Sequence, residues 1–194
     1  MLKRCMSCGA NLAAAGLLAF FITANVKVRP DGSGKMSLLY PAAKITTPEI
    51  EEHRYVSAST RPTSVRIENG LARVRVAFED INRLREAPEF ANTSLELRPG
   101  EGRFRGVLRA TNLGGVRSDR NATIRVTLPG PVIDSNGQEQ SGKQVVWWAP
   151  IARYFSEDGI PLEATYRTRS TSSDPPHADT GAQAREERAA EELP

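Results

Sequence analysis

Residues 121–150 read NATIRVTLPG PVIDSNGQEQ SGKQVVWWAP, and this stretch decides the predicted fold class. Its first half alternates apolar and polar residues, as a strand with one buried face requires. The apolar members are Ala122, Ile124, Val126 and Leu128. Leu-Pro-Gly ends this run, a polar region with Asn-Gly follows, and a second apolar run ends in Trp147 and Trp148. The stretch therefore predicts a β-hairpin-like unit.

Similar alternating runs lie on both sides of this stretch, in pairs separated by turn residues. The predicted strands are Asn25–Arg29 with Lys35–Tyr40, Ser64–Glu68 with Leu71–Phe78 around Asn69-Gly70, Thr93–Arg98 with Arg103–Ala110, and Pro161–Arg167. Short helices are predicted over Pro48–Tyr55 and Glu79–Glu86, and polar connections over Ser57–Thr63 and Asn112–Arg120. Together they predict an α+β fold: a largely antiparallel β-sheet built from hairpins, with two short helices.

Three regions differ in composition along the 194 residues. Residues 1–24 combine early positive charges with an apolar run, which predicts a signal peptide cleaved near Ala24 or a short membrane anchor. Cys5 and Cys8 lie in this region, and the chain has no second pair for a four-ligand zinc site. Residues 25–167 form the predicted domain. Residues 168–194 are polar and acidic, which predicts a disordered tail.

Side chains suited to catalysis or metal binding are sparse. His177 lies in the predicted tail, so His53 has no histidine partner for a metal centre or a catalytic triad. Glu79 and Asp80 open a predicted helix, where carboxylates interact favourably with the helix dipole. We therefore predict a protein that is not an enzyme and holds neither a metal nor a cofactor.

Arginines recur on the predicted strands, several of them on the face opposite the apolar residues: Arg66, Arg73, Arg75, Arg103, Arg105, Arg109 and Arg125. If their strands are neighbours, they form a basic surface for phosphate or carboxylate groups. The alternative is a solvated face on which arginines pair with Glu68, Glu96 or Glu101. Nucleic acid is disfavoured as a partner, because aromatic residues are not interleaved with the arginines.

The adjacent indoles of Trp147 and Trp148 must point to opposite faces of a strand. One is predicted to enter the core. The other is exposed, covered by a helix, or seated at a membrane or ligand surface, which suits an indole. From these features the predicted lipid- or anion-binding residues are Arg73, Arg75, Arg103, Arg105, Arg109 and Trp148.

Three segments of the chain resemble the LppM family of bacterial envelope proteins. They are Val26–Met36, Ala72–Leu84, and Val126–Gly137 followed by Gly142–Trp147. The last has the family's order of strand, Pro-Gly, Val, Asn-Gly and a strand that ends in Trp. The resemblance covers roughly residues 25–167.

The resemblance implies an α+β domain without known catalysis, linked to the binding of membrane lipids or glycolipids. Members typically begin the mature chain with a lipidated Cys, whereas this chain reads Thr23-Ala24-Asn25. Many members also have a C-terminal membrane helix, where this chain has a polar tail. The resulting hypothesis is an exported cell-envelope domain that binds anionic lipid or glycolipid. The alternative is a structural module that binds an envelope protein and no small molecule.

Overall fold

The alternating apolar runs form strands in the computed structural model, which describes residues 23–43, 45–109 and 120–168. The strands are β1 (Thr23–Val28), β2 (Gly34–Pro41), β3 (Thr60–Glu68), β4 (Leu71–Phe78), β5 (Ser94–Arg98), β6 (Arg103–Leu108), β7 (Asn121–Thr127), β8 (Val132–Ser135), β9 (Glu139–Ser141), β10 (Gln144–Pro150) and β11 (Ile160–Tyr166). Between β3 and β4, Asn69 and Gly70 both have positive φ, at 52° and 72°. A type I′ turn requires this conformation at both central residues.

The helices are short. They are α1 (Pro48–His53), α2 (Ile151–Tyr154) and three 3-10 helices at Ile81–Glu86, Pro88–Phe90 and Pro99–Glu101. The helix predicted at 79–86 is therefore a 3-10 helix that begins two residues later. Asp80 caps it, because its side chain accepts a hydrogen bond from the backbone N–H of Asn82 at 2.9 Å.

Two sheets contain all eleven strands. The seven-stranded sheet has the order β3-β4-β2-β1-β7-β10-β9, and the four-stranded sheet has the order β5-β6-β11-β8. Neighbouring strands are antiparallel except β1 and β7, which run parallel. The predicted α+β fold with a largely antiparallel sheet is confirmed at this level.

The stretch 121–150 is more than a hairpin. Its two predicted strands, β7 and β10, do pair antiparallel. The chain between them contributes β8 to the four-stranded sheet and β9 to the edge of the seven-stranded sheet. The prediction of a single hairpin-like unit was therefore incomplete. This stretch connects the two sheets.

Both sheets bury one face against a shared core. Apolar residues of β1, β2, β4, β7 and β10 pack against those of β5, β6 and β11 in one cluster. Phe104 of the four-stranded sheet contacts Trp147 of the seven-stranded sheet, with ring centroids 6.4 Å apart. Since the buried faces meet in this core, the outer faces of the two sheets point in opposite directions.

Two predicted boundaries differ from the observed ones. β1 begins at Thr23, and Ala24 is buried within it, so the predicted domain start at residue 25 falls inside a strand. β3 begins at Thr60, within the predicted polar connection 57–63. Its polar composition is tolerated because β3 is an edge strand, with Pro62 at a register shift.

The predicted export segment up to residue 22, most of the predicted loop 112–120 and the tail from residue 169 lie outside the described residues. Within residues 23–43, 45–109 and 120–168, the longest helices are too short to cross a membrane.

Candidate anion-binding face

Seven cations lie on the outer face of the seven-stranded sheet, which we call the basic face. Each occupies a strand position whose side chain points away from the core, because neighbouring positions along the strand face inward. The seven are Lys27, Lys35, Arg61, Arg66, Arg73, Arg75 and Arg125. They come from β1, β2, β3, β4 and β7, which are adjacent strands.

The register brings two arginines and two polar residues into a central row across this face. Arg75 of β4 lies opposite Ser37 of β2, and Ser37 lies opposite Asn25 of β1. Asn25 in turn lies beside Arg125 of β7, whose Nη1 donates a hydrogen bond of 2.9 Å to Asn25 Oδ1. Asn25 therefore holds one guanidinium group in place over the sheet.

Four of the five remaining cations flank this row as two pairs, and the fifth, Arg61, lies opposite Ala77 on β4. Lys27 and Lys35 lie opposite each other across β1 and β2, on one side. Arg66 and Arg73 lie opposite each other across β3 and β4, on the other. Directly opposed like charges destabilise a sheet, so these pairs favour the binding of an anion that neutralises them.

The charge of the basic face is not neutralised internally. Within the described part of the chain, none of its seven cations forms an ion pair. The two acidic residues on the same face are at its periphery: Glu68 ends β3, and Glu139 belongs to the edge strand β9. The electrostatic field over the centre of the face is therefore positive.

Two adjoining depressions mark the surface of the basic face. The larger, of about 460 Å³, is lined by the cations Lys27, Lys35, Arg75 and Arg125 together with Asn25, Ser37, Thr63, Thr127 and Gln144. The smaller, of about 110 Å³, is lined by Ser37, Ser64, Arg66, Arg73 and Arg75. Neither lining includes a carboxylate.

Trp148 lies on the basic face, whereas Trp147 lies in the core. Trp148 is opposite Thr123 on β7 and is 43% exposed. Trp147 is 2% exposed, and its Nε1 donates a hydrogen bond of 2.6 Å to Asn136 Oδ1. The prediction that one indole enters the core is confirmed, and the second indole is exposed, which is one of its three predicted alternatives.

Arg103 and Arg105, which were predicted to share a site with Arg73 and Arg75, lie elsewhere. They belong to β6 of the four-stranded sheet, whose outer face points the opposite way. Arg105 Nε is 2.6 Å from Glu96 Oε2, and Arg103 Nη1 is 3.5 Å from Glu101 Oε2. On the outer face of the four-stranded sheet, the arginines are therefore solvated and paired with glutamates, which was the alternative to a basic surface.

Arg109 is also separate from the basic face. It follows β6 and is half-buried, and its carbonyl accepts a hydrogen bond of 3.5 Å from the Thr93 hydroxyl. Of the predicted site residues, the structure thus brings together Arg73, Arg75 and Trp148, and it separates them from Arg103, Arg105 and Arg109. The assumption that all the arginine-bearing strands are neighbours was wrong, because β6 belongs to the second sheet.

A buried polar cluster beside α1 was not expected from the sequence. Glu51, at 1% exposure, accepts hydrogen bonds from the Tyr40 hydroxyl, from Thr46 Oγ1 at 2.9 Å and from Arg54 Nη1 at 3.0 Å. Arg54 also donates to Glu89. Tyr55 lies behind this group and donates from its hydroxyl to that of Tyr40 at 2.8 Å.

Burial raises the pKa values of three members of this cluster, Glu89, Tyr40 and Tyr55. It raises the pKa of Glu89 to about 7, although the neighbouring Arg54 acts in the opposite direction. Because both carboxylates are engaged by Arg54 inside the protein, we assign the cluster to the stability of the fold.

Two lysines and three arginines of the basic face were absent from the predicted site: Lys27, Lys35, Arg61, Arg66 and Arg125. Arg66 and Arg125 were predicted to lie on strands, and Lys27 and Lys35 lie at outward positions of an alternating pair of strands. Alternation alone therefore could have placed these four on an outer face, whereas Arg61 falls within the predicted polar connection 57–63. Alternation could not show that β1 and β7 are adjacent.

No protein-family model matches the chain, and no curated protein matches it significantly. Among solved structures, the chain is similar to the NMR structure of the folded domain of LppM from Mycobacterium tuberculosis. The two chains share 18% sequence identity with a TM-score of 0.47, and the match covers 81% of this chain and 94% of the LppM domain.

Proposed function

We propose that this protein is an exported, non-enzymatic domain of the cell envelope that binds anionic lipid through the basic face. The observation that carries the proposal is a set of seven adjacent cations without ion-pair partners among the described residues. Membership of the LppM family is part of this proposal, and the three sequence segments that resemble the family support it.

Electrostatics favours a membrane surface as the partner. A cation close to an anionic membrane contributes about 1 kcal/mol of attraction, so several adjacent cations give useful affinity at physiological salt. Trp148 adds an indole on the same face, and indoles favour the membrane–water interface. Export is supported by the basic and apolar composition of residues 1–24.

The test compares two double variants of the full chain, R73S/R75S and R103S/R105S. Both remove two exposed arginines from strands, but on opposite outer faces. Binding is measured by co-sedimentation with phosphatidylcholine vesicles, with and without phosphatidylglycerol. We expect the parent to bind only the anionic vesicles, R73S/R75S to bind roughly tenfold or more weakly, and R103S/R105S to bind like the parent.

If both variants lost the same affinity for anionic vesicles, binding would depend on net charge and not on the basic face. If the parent protein does not bind anionic vesicles, the lipid proposal is overturned. If it instead co-purified with an acidic envelope protein in a salt-sensitive complex that R73S/R75S weakens, the basic face would be a protein-interaction surface.

A further inference from the structure

The two depressions of the basic face differ in size but share a wall. Ser37 and Arg75 line both of them. Arg75 therefore lies between two groups of cations, Lys27, Lys35 and Arg125 on one side and Arg66 with Arg73 on the other. The two shared residues show that the depressions are adjacent, and together we call them the groove.

The strand geometry gives the distance between the two depressions. Arg73 and Arg75 are two residues apart on β4, a distance of about 7 Å along the strand. From β4 to β7 the row that ends in Arg125 crosses three strand spacings, about 14 Å in all. We take the mean of these two spans, roughly 10 Å, as the separation of the two depressions.

The chemistry of both depressions suits a tetrahedral oxyanion. Each combines guanidinium groups, which donate paired hydrogen bonds to phosphate oxygens, with hydroxyl donors from Ser37. The smaller depression has room for a small polar group alone, whereas the larger has the volume of a small-molecule site. A single phosphate would leave the cations of one depression unneutralised.

We propose that the groove recognises a lipid headgroup with two phosphates about 10 Å apart or closer, one in each depression. This inference rests on the proposed function, since it specifies which anionic lipid the basic face selects. Two phosphates on one headgroup bind better than two separate ones, because the second contact is intramolecular and loses little further translational freedom.

The experiment compares a one-phosphate lipid with a two-phosphate lipid at equal surface charge. The full chain is titrated with phosphatidylcholine vesicles that contain phosphatidylglycerol or half as much cardiolipin. We expect about tenfold tighter binding to the cardiolipin vesicles. The variant R66S/R73S removes two of the three arginines that line the smaller depression and should lose this preference while it still binds both kinds of vesicle. R103S/R105S is the matched control and should keep the preference.

The outcomes separate this inference from the proposed function. Equal binding of the parent to both anionic vesicles would overturn the two-phosphate inference and leave the proposed function intact. Binding to neither would overturn both. Retention of the preference by R66S/R73S would also contradict the inference.

A final arm distinguishes a lipid from a soluble ligand. Soluble inorganic pyrophosphate is added to the cardiolipin vesicles at the same phosphate concentration as the lipid. Because the vesicle also offers a surface to Trp148, we expect the protein to remain bound. Complete release would identify a soluble anion as the preferred ligand and overturn the assignment to a lipid headgroup.

Discussion

Adjacent residues of this chain can have opposite roles because a strand alternates its faces. Trp147 fills the core between the sheets and donates to Asn136, whereas Trp148 lies on the basic face. The variants W147F and W148F each leave one tryptophan as a fluorescent probe.

In W147F, the remaining Trp148 should shift its emission to shorter wavelength when anionic vesicles are added, because the indole leaves water. In W148F, the emission of buried Trp147 should not change. W147F should also be less stable by about 1–3 kcal/mol, since it loses a buried hydrogen bond and ring volume. A vesicle-dependent shift confined to W148F would contradict the placement of Trp148 at the membrane.

Glu89 makes the free energy of unfolding depend on pH. Its pKa is about 7 in the folded protein against 4.5 as the ordinary value. The folded protein therefore retains a proton that the unfolded chain releases, so this group's contribution to the free energy of unfolding is greatest below pH 4.5 and falls as pH rises towards 7.

The variant E89Q lacks this titration and resembles the protonated form. The stability of the parent relative to E89Q should fall by up to about 3 kcal/mol between acidic and neutral pH. Urea unfolding of both proteins at a series of pH values measures the difference. A difference that is constant with pH would show that the pKa of Glu89 is the same in the folded protein as in the unfolded chain.

At the scale of the element, β1 is the strand on which the basic face depends. It pairs with β2 on one side and with β7 on the other, so it joins Lys27, Lys35 and Arg125 in one surface. Its first residue, Thr23, follows directly on the apolar segment of the sequence. Apolar composition is common to an export segment and a buried strand, which is why the sequence assigned Thr23 and Ala24 to the export segment.

Removal of residues 1–24 should therefore destabilise the fold relative to removal of residues 1–22. The shorter chain loses the buried Ala24 side chain and the pairing of Thr23 and Ala24 with both neighbouring strands. We expect a difference of about 1–3 kcal/mol in urea unfolding. Identical unfolding midpoints would mean that β1 needs only its residues from Asn25 onward.

At the scale of the whole molecule, one core supports two sheets with different outer faces. Among the described residues, one outer face has cations without ion pairs and the other has Arg–Glu pairs. Because the core is shared, the sheets should unfold in one cooperative transition.

The variant F104A tests this coupling, since Phe104 contacts Trp147 across the core. It should lower the stability of the whole protein by about 3–5 kcal/mol. Far-ultraviolet circular dichroism follows the strands, and tryptophan fluorescence follows the seven-stranded sheet. Both signals should change at the same denaturant concentration in the parent and in the variant. Separate transitions would show that the sheets are independent.

Much of this structure was accessible from sequence because it depends on local patterns. Alternation assigned Ile124 and Val126 to the core, and Asn69-Gly70 marked a turn that requires two positive φ values. These features depend on residues close together in the chain. The buried pair of Arg54 with Glu89 left no such pattern, since 35 residues separate the two partners.

The sequence by itself determined which residues face inward on alternating strands such as β4 and β7, and hence the fold class. Only the tertiary structure decided which arginines share a surface. Arg75 and Arg125 are 50 positions apart but belong to one row, whereas Arg103 and Arg105 lie on the opposite outer face. The physical reason is that alternation fixes the direction of a side chain, while the order of strands depends on long-range pairing and on packing across the core.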